Sequence, residues 1–267
     1  RLDGRPSDAI FAARRALELK QSYREAQNNL GLAFCDLRRY PEAIKCFESA
    51  IDIDANNFEA LNNLGVTLDA KGDLEKSLII FERALTLSPQ NIDAKINLGN
   101  LFRKLGRLDD AAAQYSEVLN LFPEDLRAHA NLGLILINKN RPEEAIACYG
   151  KALAFAPENP DIRMSLGIAQ LMLGDFEAGW RNYEARWLAP SFAIKRRILT
   201  SELWTGQSLK GKSILVYAEQ GFGDTIQFVP YVPMIAKQAG QVVFECQKAL
   251  LRICSKLEGV SEVIARG

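Results

Sequence analysis

Thiols and imidazoles are the side chains in this sequence that could bind a transition metal or act as nucleophiles. The single histidine is His129, and no two cysteines form a Cys-x-x-Cys pair. The cysteines are spread along the chain, at Cys35, Cys46, Cys148, Cys246 and Cys254. Because a zinc site needs clustered ligands, we predict neither a metal nor a cofactor. Five unpaired cysteines are typical of small buried side chains in a reducing, cytoplasmic compartment.

Two glycine-containing segments could bind a phosphate group. The run Gly206-Gln207-Ser208-Leu209-Lys210-Gly211-Lys212-Ser213 fits the expression G-x-x-x-x-G-K-[ST]. A true phosphate-binding loop follows a strand and opens a helix, whereas this run follows a proline-containing linker and precedes a predicted strand. Its backbone N–H groups would not lie at a helix N-terminus, so we predict that it does not bind nucleotide.

The second segment, Gly221-Phe222-Gly223-Asp224, is better placed. It follows a predicted strand and opens a predicted helix, where backbone N–H groups attract an anion. Gly221 and Gly223 are therefore candidates for a loop that binds an anion or a substrate. Asp224 would either cap the helix or present an exposed carboxylate in a cleft, and the residues leave both readings open.

Amide side chains recur at one spacing, at Asn29, Asn63, Asn97 and Asn131, and Ser165 breaks the series. An amide offers both a donor and an acceptor, so a row of amides could bind the backbone of an extended peptide regardless of the peptide's side chains. The alternative is structural, because each amide could instead bond to the neighbouring helix. His129 lies close to Asn131 in the sequence, and we expect it to be a packed or half-exposed residue of a helix.

These residues belong to units of 34 residues. Each unit has a Leu-Gly pair, then a small residue twelve positions after the glycine, then an aromatic residue four positions further on. The glycines are Gly31, Gly65, Gly99, Gly133 and Gly167, the small residues are Ala43, Ser77, Ala111, Ala145 and Gly179, and the aromatic residues are Phe47, Phe81, Tyr115, Tyr149 and Tyr183. Proline recurs at Pro89, Pro123 and Pro157, with Ala55 in its place in the first full unit.

Each unit is predicted to form two helices. In 58–91, apolar residues at helical spacing indicate helices over Glu59–Lys71 and Leu74–Leu87, joined by a turn at Gly72-Asp73. Proline ends the second helix because it lacks an N–H group. Neither helix can bury its apolar stripe alone, so the units must stack on one another.

The pattern changes after Trp187, and Arg186 stands where earlier units carry Ala or Val. A linker with Pro190 and the basic cluster Lys195-Arg196-Arg197 follows, and we expect the cluster to be solvated. Beyond it, predicted strands alternate with predicted helices: Ser213–Ala218, Thr225–Ala239, Gln241–Cys246, Gln247–Leu257 and Glu262–Ala265, with Pro230 and Pro233 expected to split or kink the first helix. This order predicts three parallel strands with right-handed crossovers.

The overall charge argues against some partners. Lys plus Arg and Asp plus Glu both number 33, so no net positive field attracts nucleic acid or an anionic membrane. No apolar run reaches the roughly 18 residues that a membrane-spanning helix needs, and no signal peptide is visible at the start. The sequence begins with Arg1 rather than Met, so we expect a fragment of a longer chain.

The repeat resembles the tetratricopeptide repeat (TPR) in its Leu-Gly pair, small residue, aromatic residue and terminal proline. The resemblance covers 24–57, 58–91, 92–125 and 126–159, with a degenerate unit at 160–193 and a preceding half repeat at 1–23. It implies a mainly α fold, a right-handed TPR solenoid over 1–193 whose first helices line a concave groove. The asparagine series is similar to the asparagine ladder of the O-GlcNAc transferase TPR domain, which implies that a protein or extended peptide binds in the groove.

The segment from Ile214 to Ile226, ILVYAEQGFGDTI, resembles the first strand and loop of heptosyltransferase-like glycosyltransferases, which have the two-domain GT-B fold. Bacterial proteins join TPR units to such a domain through a stretch similar to Gly179–Trp187. The resemblance implies that 212–267, after a linker at 194–211, is the Rossmann-like start of a GT-B domain. It also implies that Asp224 is the general base in an intact parent protein.

Most of a GT-B enzyme is missing from this sequence, so we expect the segment to be inactive alone. The first functional hypothesis is therefore a TPR scaffold that binds a protein or peptide. The alternative is that the intact parent is a sugar-nucleotide-dependent glycosyltransferase whose repeats present a protein acceptor. The small sheet would expose an edge, so self-association through that edge is also possible.

Overall fold

The computed structural model describes residues 6–19, 24–192, 194, 197, 201–219 and 221–266. Parts of the predicted half repeat and linker, including Lys195 and Arg196, lie outside the described residues. The chain forms two compact units, Arg1–Pro190 and Ser191–Gly267. The first is helical and the second is a small α/β unit. Within the described ranges, every helix is too short or too polar to cross a membrane.

The helical unit consists of α1 followed by five helix pairs. Their bounds are α1 Pro6–Leu19; α2 Arg24–Asp36 and α3 Tyr40–Ile53; α4 Phe58–Lys71 and α5 Leu74–Leu87; α6 Ile92–Lys104 and α7 Leu108–Leu121; α8 Leu126–Asn138 and α9 Pro142–Phe155; α10 Pro160–Met172 and α11 Phe176–Tyr183. The predicted helices of 58–91 match α4 and α5 to within one residue, and the predicted mainly α solenoid is confirmed.

Within a pair, the two helices approach closely at the repeat glycine. A Cβ atom added to Gly99 would lie 2.6 Å from Cε1 of Tyr115, and the same contact recurs between Gly65 and Phe81 at 2.7 Å. The ring of the second helix therefore occupies the space that a side chain on the first helix would need. Ser77, fully buried in α5, donates its hydroxyl hydrogen to the carbonyl oxygen of Gly65 at 2.8 Å, so small residues are required on both sides of the contact.

Stacking joins each pair to the next. The second helix of one pair packs on the first helix of the following pair, and the first helices of successive pairs also contact one another. The first helices α2, α4, α6, α8 and α10 therefore form the inner layer of the solenoid. Buried apolar residues form three successive clusters along the stack, from Ala13 of α1 to Ala169 of α10.

Two further features repeat with the same period. Four of the first helices begin at a side-chain cap that accepts a hydrogen bond from the backbone N–H three residues later, at Asn57, Asn91, Asp125 and Asn159. The turns between paired helices use a residue with positive φ, which is glycine at Gly72, Gly106 and Gly174 but Arg38 and Asn140 in the other two pairs. The turn at Gly72 matches the prediction, whereas Arg38 adopts a conformation that side chains other than Asn and Asp rarely take.

The regular repeat ends at α11. A Cβ atom on Gly167 would lie 2.5 Å from the backbone nitrogen of Tyr183, so backbone rather than an aromatic ring fills the close contact. The helix stops at Tyr183 and a 3-10 turn covers Glu184–Trp187. The guanidinium group of Arg186 lies over the rings of Tyr183 and Trp187. The degenerate character predicted for this unit thus has a structural counterpart.

The α/β unit contains a parallel sheet with strand order β1-β2-β3, formed by β1 Ser213–Tyr217, β2 Gln241–Cys246 and β3 Glu262–Ala265. Ile214 pairs with Val242, and Phe244 pairs with Val263. Val242, Phe244 and Cys246 of β2 form the core with Leu250 and Cys254. The three predicted parallel strands are confirmed.

The first helix of this unit is split at the prolines, as expected, and both predicted helices are shorter than their predicted ranges. In place of one helix over Thr225–Ala239, α12 covers Phe222–Phe228, a 3-10 turn covers Val229–Tyr231 and α13 covers Val232–Ala236. Pro230 and Pro233 lie in the interrupted part, where each removes an N–H donor. The helix predicted over Gln247–Leu257 is shorter as well, with a 3-10 turn over Lys248–Leu250 and α14 over Leu251–Cys254.

Substitution of Gly99 by Ala tests the close contact within a pair. We expect Gly99→Ala to lower the free energy of unfolding by about 1–3 kcal/mol, because its Cβ would overlap the fully buried ring of Tyr115. Gly150→Ala in α9 is the matched control, since nothing lies within 4 Å of its Cβ position; there the gain in helix propensity should stabilise the protein by about 0.5–1 kcal/mol. Urea unfolding followed by circular dichroism measures the free energy of unfolding of both variants. Changes of the same sign in the two variants would contradict the prediction.

Candidate functional site

The predicted asparagine row, Asn29, Asn63, Asn97 and Asn131, lies on the inner-layer helices α2, α4, α6 and α8. Asn29 is exposed, and the other three side chains are half-buried. The Asn63 amide donates to Oδ1 of Asn28 at 3.0 Å, and Asn97 donates to Oδ1 of Asn62 at 3.1 Å. Each hydrogen bond joins the first helices of two neighbouring pairs, so these amides have a structural role.

Asn131 takes part in a related network with a different acceptor. Its amide lies 3.4 Å from Oδ1 of Asn100, which also accepts a hydrogen bond of 2.9 Å from the Tyr115 hydroxyl. Burial raises the pKa of Tyr115 to about 12, so its hydroxyl stays protonated and remains a donor. In all three half-buried members of the row, the bond described uses one of the two amide N–H groups. The second N–H group and the acceptor oxygen are what such an amide can offer to a ligand.

An apolar row runs beside the asparagine row and was not predicted. It contains Leu32, Val66, Leu134 and Ile168, each one residue after a repeat glycine, with Asn100 in the same position of the third pair. Val66, Leu134 and Ile168 are exposed. Residues three apart share a helix face, so Val66 lies beside Asn63 on α4. The signal was present in the sequence, since apolar residues recur at this position, but the pattern alone does not show that they are exposed.

Charged groups on the same helices mostly pair across repeats. Arg127 donates to Asp93 at 2.7 Å, and Lys104 donates to Asp69 at 2.7 Å. Both pairs join first helices of neighbouring units. Exposed pairs of this kind contribute little to stability, and in each pair the two opposite charges offset one another. Its chemistry is therefore that of amides and apolar groups.

Two other polar residues of the inner layer are packed inside. Nε2 of His129 lies 2.8 Å from the carbonyl oxygen of Pro123, and the side chain is buried. Lys95, buried at the equivalent position of α6, forms an ion pair with Glu117. His129 is therefore a packed helix residue, as expected.

Asp224 in the α/β unit is the third residue of α12, and its side chain is exposed. Oδ2 accepts a hydrogen bond of 3.2 Å from the backbone N–H of Gly221, which closes the turn after β1. Gly221 is the N-cap residue of this short helix and Gly223 lies in its first turn. The carboxylate thus combines a capping contact with exposure to solvent.

The carboxyl ends of the strands carry a second polar group. Glu245 of β2 is buried, and both of its carboxylate oxygens accept hydrogen bonds from Nη1 of Arg197, at 2.7 and 2.8 Å. Arg197 of the basic cluster is exposed, as expected, and it also neutralises this buried carboxylate. Thr225 donates to Oε1 of Gln247 at 3.0 Å nearby. These hydrogen bonds join polar side chains at the carboxyl ends of the strands.

The cysteines behave as packed side chains. Cys46, Cys246 and Cys254 are buried, Cys35 and Cys148 are half-buried, and all five are free thiols. Burial raises the pKa of Cys46 and of Cys246 to about 11, so both are protonated near neutral pH and are poor nucleophiles. In the described part of the chain, no three His, Cys, Asp or Glu side chains are grouped as a metal site would require.

Two family models described as tetratricopeptide repeat match this chain, one over residues 23–90 and the other over 96–160 and 136–190. Together these ranges span more than half of the 267 residues. The chain is a tetratricopeptide-repeat protein. The matched ranges lie within the helical unit, which carries the asparagine row.

Several solved structures resemble this one in fold. PilF of Pseudomonas aeruginosa aligns with a TM-score of 0.57 and 21% identity over 61% of this chain and 74% of PilF. MamA of Desulfovibrio magneticus RS-1 aligns with a TM-score of 0.55 and 22% identity over 60% of this chain and 91% of that one. YrrB, a TPR protein with an unusual peptide-binding site, aligns with a TM-score of 0.53 and 19% identity over 66% of this chain and 91% of YrrB.

A relative found by sequence comparison matches a smaller share of this chain than the solved structures do. Protein FlbA of Caulobacter vibrioides is 34% identical over 70 residues, which is 26% of this chain and 12% of FlbA. This chain therefore spans only a small part of that relative's length.

Proposed function

We propose that this TPR protein is a scaffold that binds a protein or an extended peptide along the asparagine row. The observation that carries the proposal is the pairing of two rows on the inner-layer helices: half-buried amides, and exposed apolar side chains at Val66, Leu134 and Ile168. A face of this composition complements a partner that offers both backbone amide groups and apolar side chains. The fold similarity to YrrB, which has a peptide-binding site, supports the same class of function.

An extended partner fits this face better than a helical one. The backbone groups of a helix are hydrogen-bonded internally, so they cannot pair with the amide row, whereas an extended backbone leaves them free. Neighbouring helices pack about 8–10 Å apart, and an extended peptide advances about 3.3 Å per residue. One amide therefore meets the peptide about every three residues, and the side chains between contacts can lie on the apolar row.

The asparagine row is tested by comparing two double variants of the full chain. Asn63→Ala/Asn97→Ala removes two amides of the row together with their bonds to Asn28 and Asn62. Asn28→Ala/Asn62→Ala removes the same two inter-helix hydrogen bonds but keeps Asn63 and Asn97 in place. Each lost hydrogen bond is worth about 0.5–1.5 kcal/mol, so we expect about tenfold weaker peptide binding for the first variant and a change below about threefold for the second.

The ligand for this comparison is a peptide selected from a displayed random library on the unaltered protein, and its affinity is measured by fluorescence anisotropy. Thermal unfolding should show a similar loss of stability in both variants, which separates folding from binding. Equal loss of affinity in the two variants, or no loss in either, would rule out recognition by the row.

A second proposal concerns the α/β unit. We propose that, in a longer protein that contains this segment, the unit belongs to a glycosyltransferase of the GT-B type, in which the TPR units present a protein acceptor and Asp224 acts as general base. What favours it is the parallel β1-β2-β3 order together with the glycine turn after β1, where Gly221 and Gly223 could approach an anion or substrate and Asp224 is exposed. An exposed carboxylate at the carboxyl end of a parallel strand is well placed to accept a proton.

Asp224→Asn in the longer protein tests this second proposal. The amide oxygen can still accept the N–H of Gly221, so the turn should persist, but proton acceptance is lost. We expect sugar transfer to fall by about 10²-fold or more, with unchanged thermal unfolding. Transfer is measured with radiolabelled sugar nucleotides and a protein acceptor. If the unaltered longer protein shows neither transfer nor donor hydrolysis, the glycosyltransferase proposal is wrong.

Self-association is a third proposal, supported by the short sheet. In the described residues, β1 and β3 are the two edges of the sheet, and unpaired strand edges favour pairing between chains. We expect the average mass from light scattering to rise over a concentration series, and a constant monomer mass up to about 100 µM would contradict it.

A cytoplasmic location also remains a proposal, supported by the five free thiols.

A further inference from the structure

An open pocket of about 250 Å³ lies between α3, α4 and α5, on the side of the second helices and away from the asparagine row. Leu64 and Leu68 of α4 are buried in its floor. Ile44 of α3 and Ile80 of α5 line its walls. The rim is charged and carries Glu48, Lys71, Asp73 and Lys76. The pocket therefore has an apolar interior and a polar entrance.

Comparison with the neighbouring repeats explains why there is space here. At the position of Leu68, the repeats on either side carry Phe34 and Phe102. An arginine five residues later covers each ring, with Arg39 4.7 Å and Arg107 4.4 Å from the ring centroid. In the second repeat the phenylalanine is replaced by Leu68 and the arginine by Asp73. Leu68 and Asp73 are shorter than the phenylalanine and arginine of the neighbouring repeats. The pocket lies where those longer side chains would be.

The rim contains a large aliphatic side chain, whereas the equivalent positions carry a charged or a smaller residue. Ile79 borders the pocket and is 64% exposed. The equivalent positions carry Lys45, Ala113 and Ala147. A large exposed aliphatic residue beside an open apolar pocket extends the surface that an incoming apolar group can contact.

Charge on the rim defines what flanks that group. Lys71 and Asp73 are paired with each other at 2.8 Å. Glu48 on α3 and Lys76 on α5 are exposed, and neither forms an ion pair within the described residues. They lie on different helices that border the pocket, so a partner with a basic group on one side and an acidic group on the other complements them.

We propose that this pocket is a second peptide-binding site, which takes one aromatic or large aliphatic side chain of a partner protein, flanked by a basic residue facing Glu48 and an acidic residue facing Lys76. An apolar cavity of about 150 Å³ already accommodates benzene, so a phenyl ring fits. A single buried side chain supports only weak binding of a short peptide, with a dissociation constant in the millimolar range. Within a whole partner protein, the pocket would act as an anchor.

The probes are three short peptides, Ac-Lys-Phe-Glu-NH2, Ac-Glu-Phe-Lys-NH2 and Ac-Lys-Ala-Glu-NH2, titrated into the full chain at low ionic strength and followed by ¹H–¹⁵N NMR. We expect the phenylalanine peptides to shift backbone amide signals of α3, α4 and α5 around the pocket, and to bind at least tenfold more tightly than the alanine peptide. We also expect one order of charges to bind at least threefold more tightly than the other. Equal shifts from the alanine peptide would show that the pocket does not bind the phenylalanine side chain. Equal affinity for the two charge orders would show that Glu48 and Lys76 do not contact the flanking charges.

Two protein variants complete the experiment. Leu68→Phe/Asp73→Arg rebuilds the pair seen at Phe34–Arg39 and Phe102–Arg107, so it should fold and lose binding of the phenylalanine peptides. Glu48→Lys/Lys76→Glu leaves the interior intact and should reverse the preferred order of charges, which keeps the proposal testable even if the first variant is unstable. Asn63→Ala/Asn97→Ala should bind these probes normally, which separates this pocket from the asparagine row. Undiminished binding by a folded Leu68→Phe/Asp73→Arg variant would show that the peptides bind elsewhere.

Discussion

The contact between a repeat glycine and an aromatic ring is the constraint on which the rest of the solenoid depends. At Gly31, Gly65, Gly99 and Gly133, a ring atom of the paired helix lies 2.6–2.7 Å from the place of a missing Cβ. This contact sets the distance between the two helices, and the fully buried Ala43, Ser77, Ala111 and Ala145 keep that distance short on the other side. When a pair carries the glycine, the aromatic ring and the small residue at these positions, it presents the same two surfaces to its neighbours. Identical stacking can then continue.

The same constraint explains where the solenoid stops. In the last pair, backbone of Tyr183 rather than its ring approaches Gly167, and α11 ends there. The next position of the pattern, occupied by fully buried alanine or valine in earlier pairs, is Arg186. A guanidinium group cannot be buried in an apolar stack without partners, and here it packs over Tyr183 and Trp187 and bonds to Glu184. A further identical pair could not stack on this surface.

Periodicity made the helical part predictable, and the α/β part less so. The bounds of α4 and α5 and the turns at Gly72, Gly106 and Gly174 follow from residues that recur at a fixed interval. The caps at Asn57, Asn91 and Asp125 recur equally and could have been found in the same way. The partners of the asparagine row could not, because whether Asn63 meets Asn28 depends on how two helices 35 residues apart are aligned. In the α/β unit no repeat averages out local ambiguity, so the helices predicted over Thr225–Ala239 and Gln247–Leu257 were too long.

Repetition also shows which differences between units matter. Loss of the Phe–Arg pair at Leu68 and Asp73 removes a cation–π contact worth about 0.5–1 kcal/mol at an exposed site and leaves apolar surface open to water. Because the stability of a stacked array is close to a sum over units and their interfaces, this loss falls on the second repeat. A ligand that fills the pocket binds only the folded state, so it stabilises that part of the array by mass action. A partner bound in the pocket would thus stabilise the second repeat, whereas a partner bound at the asparagine row would contact amides that already join neighbouring repeats.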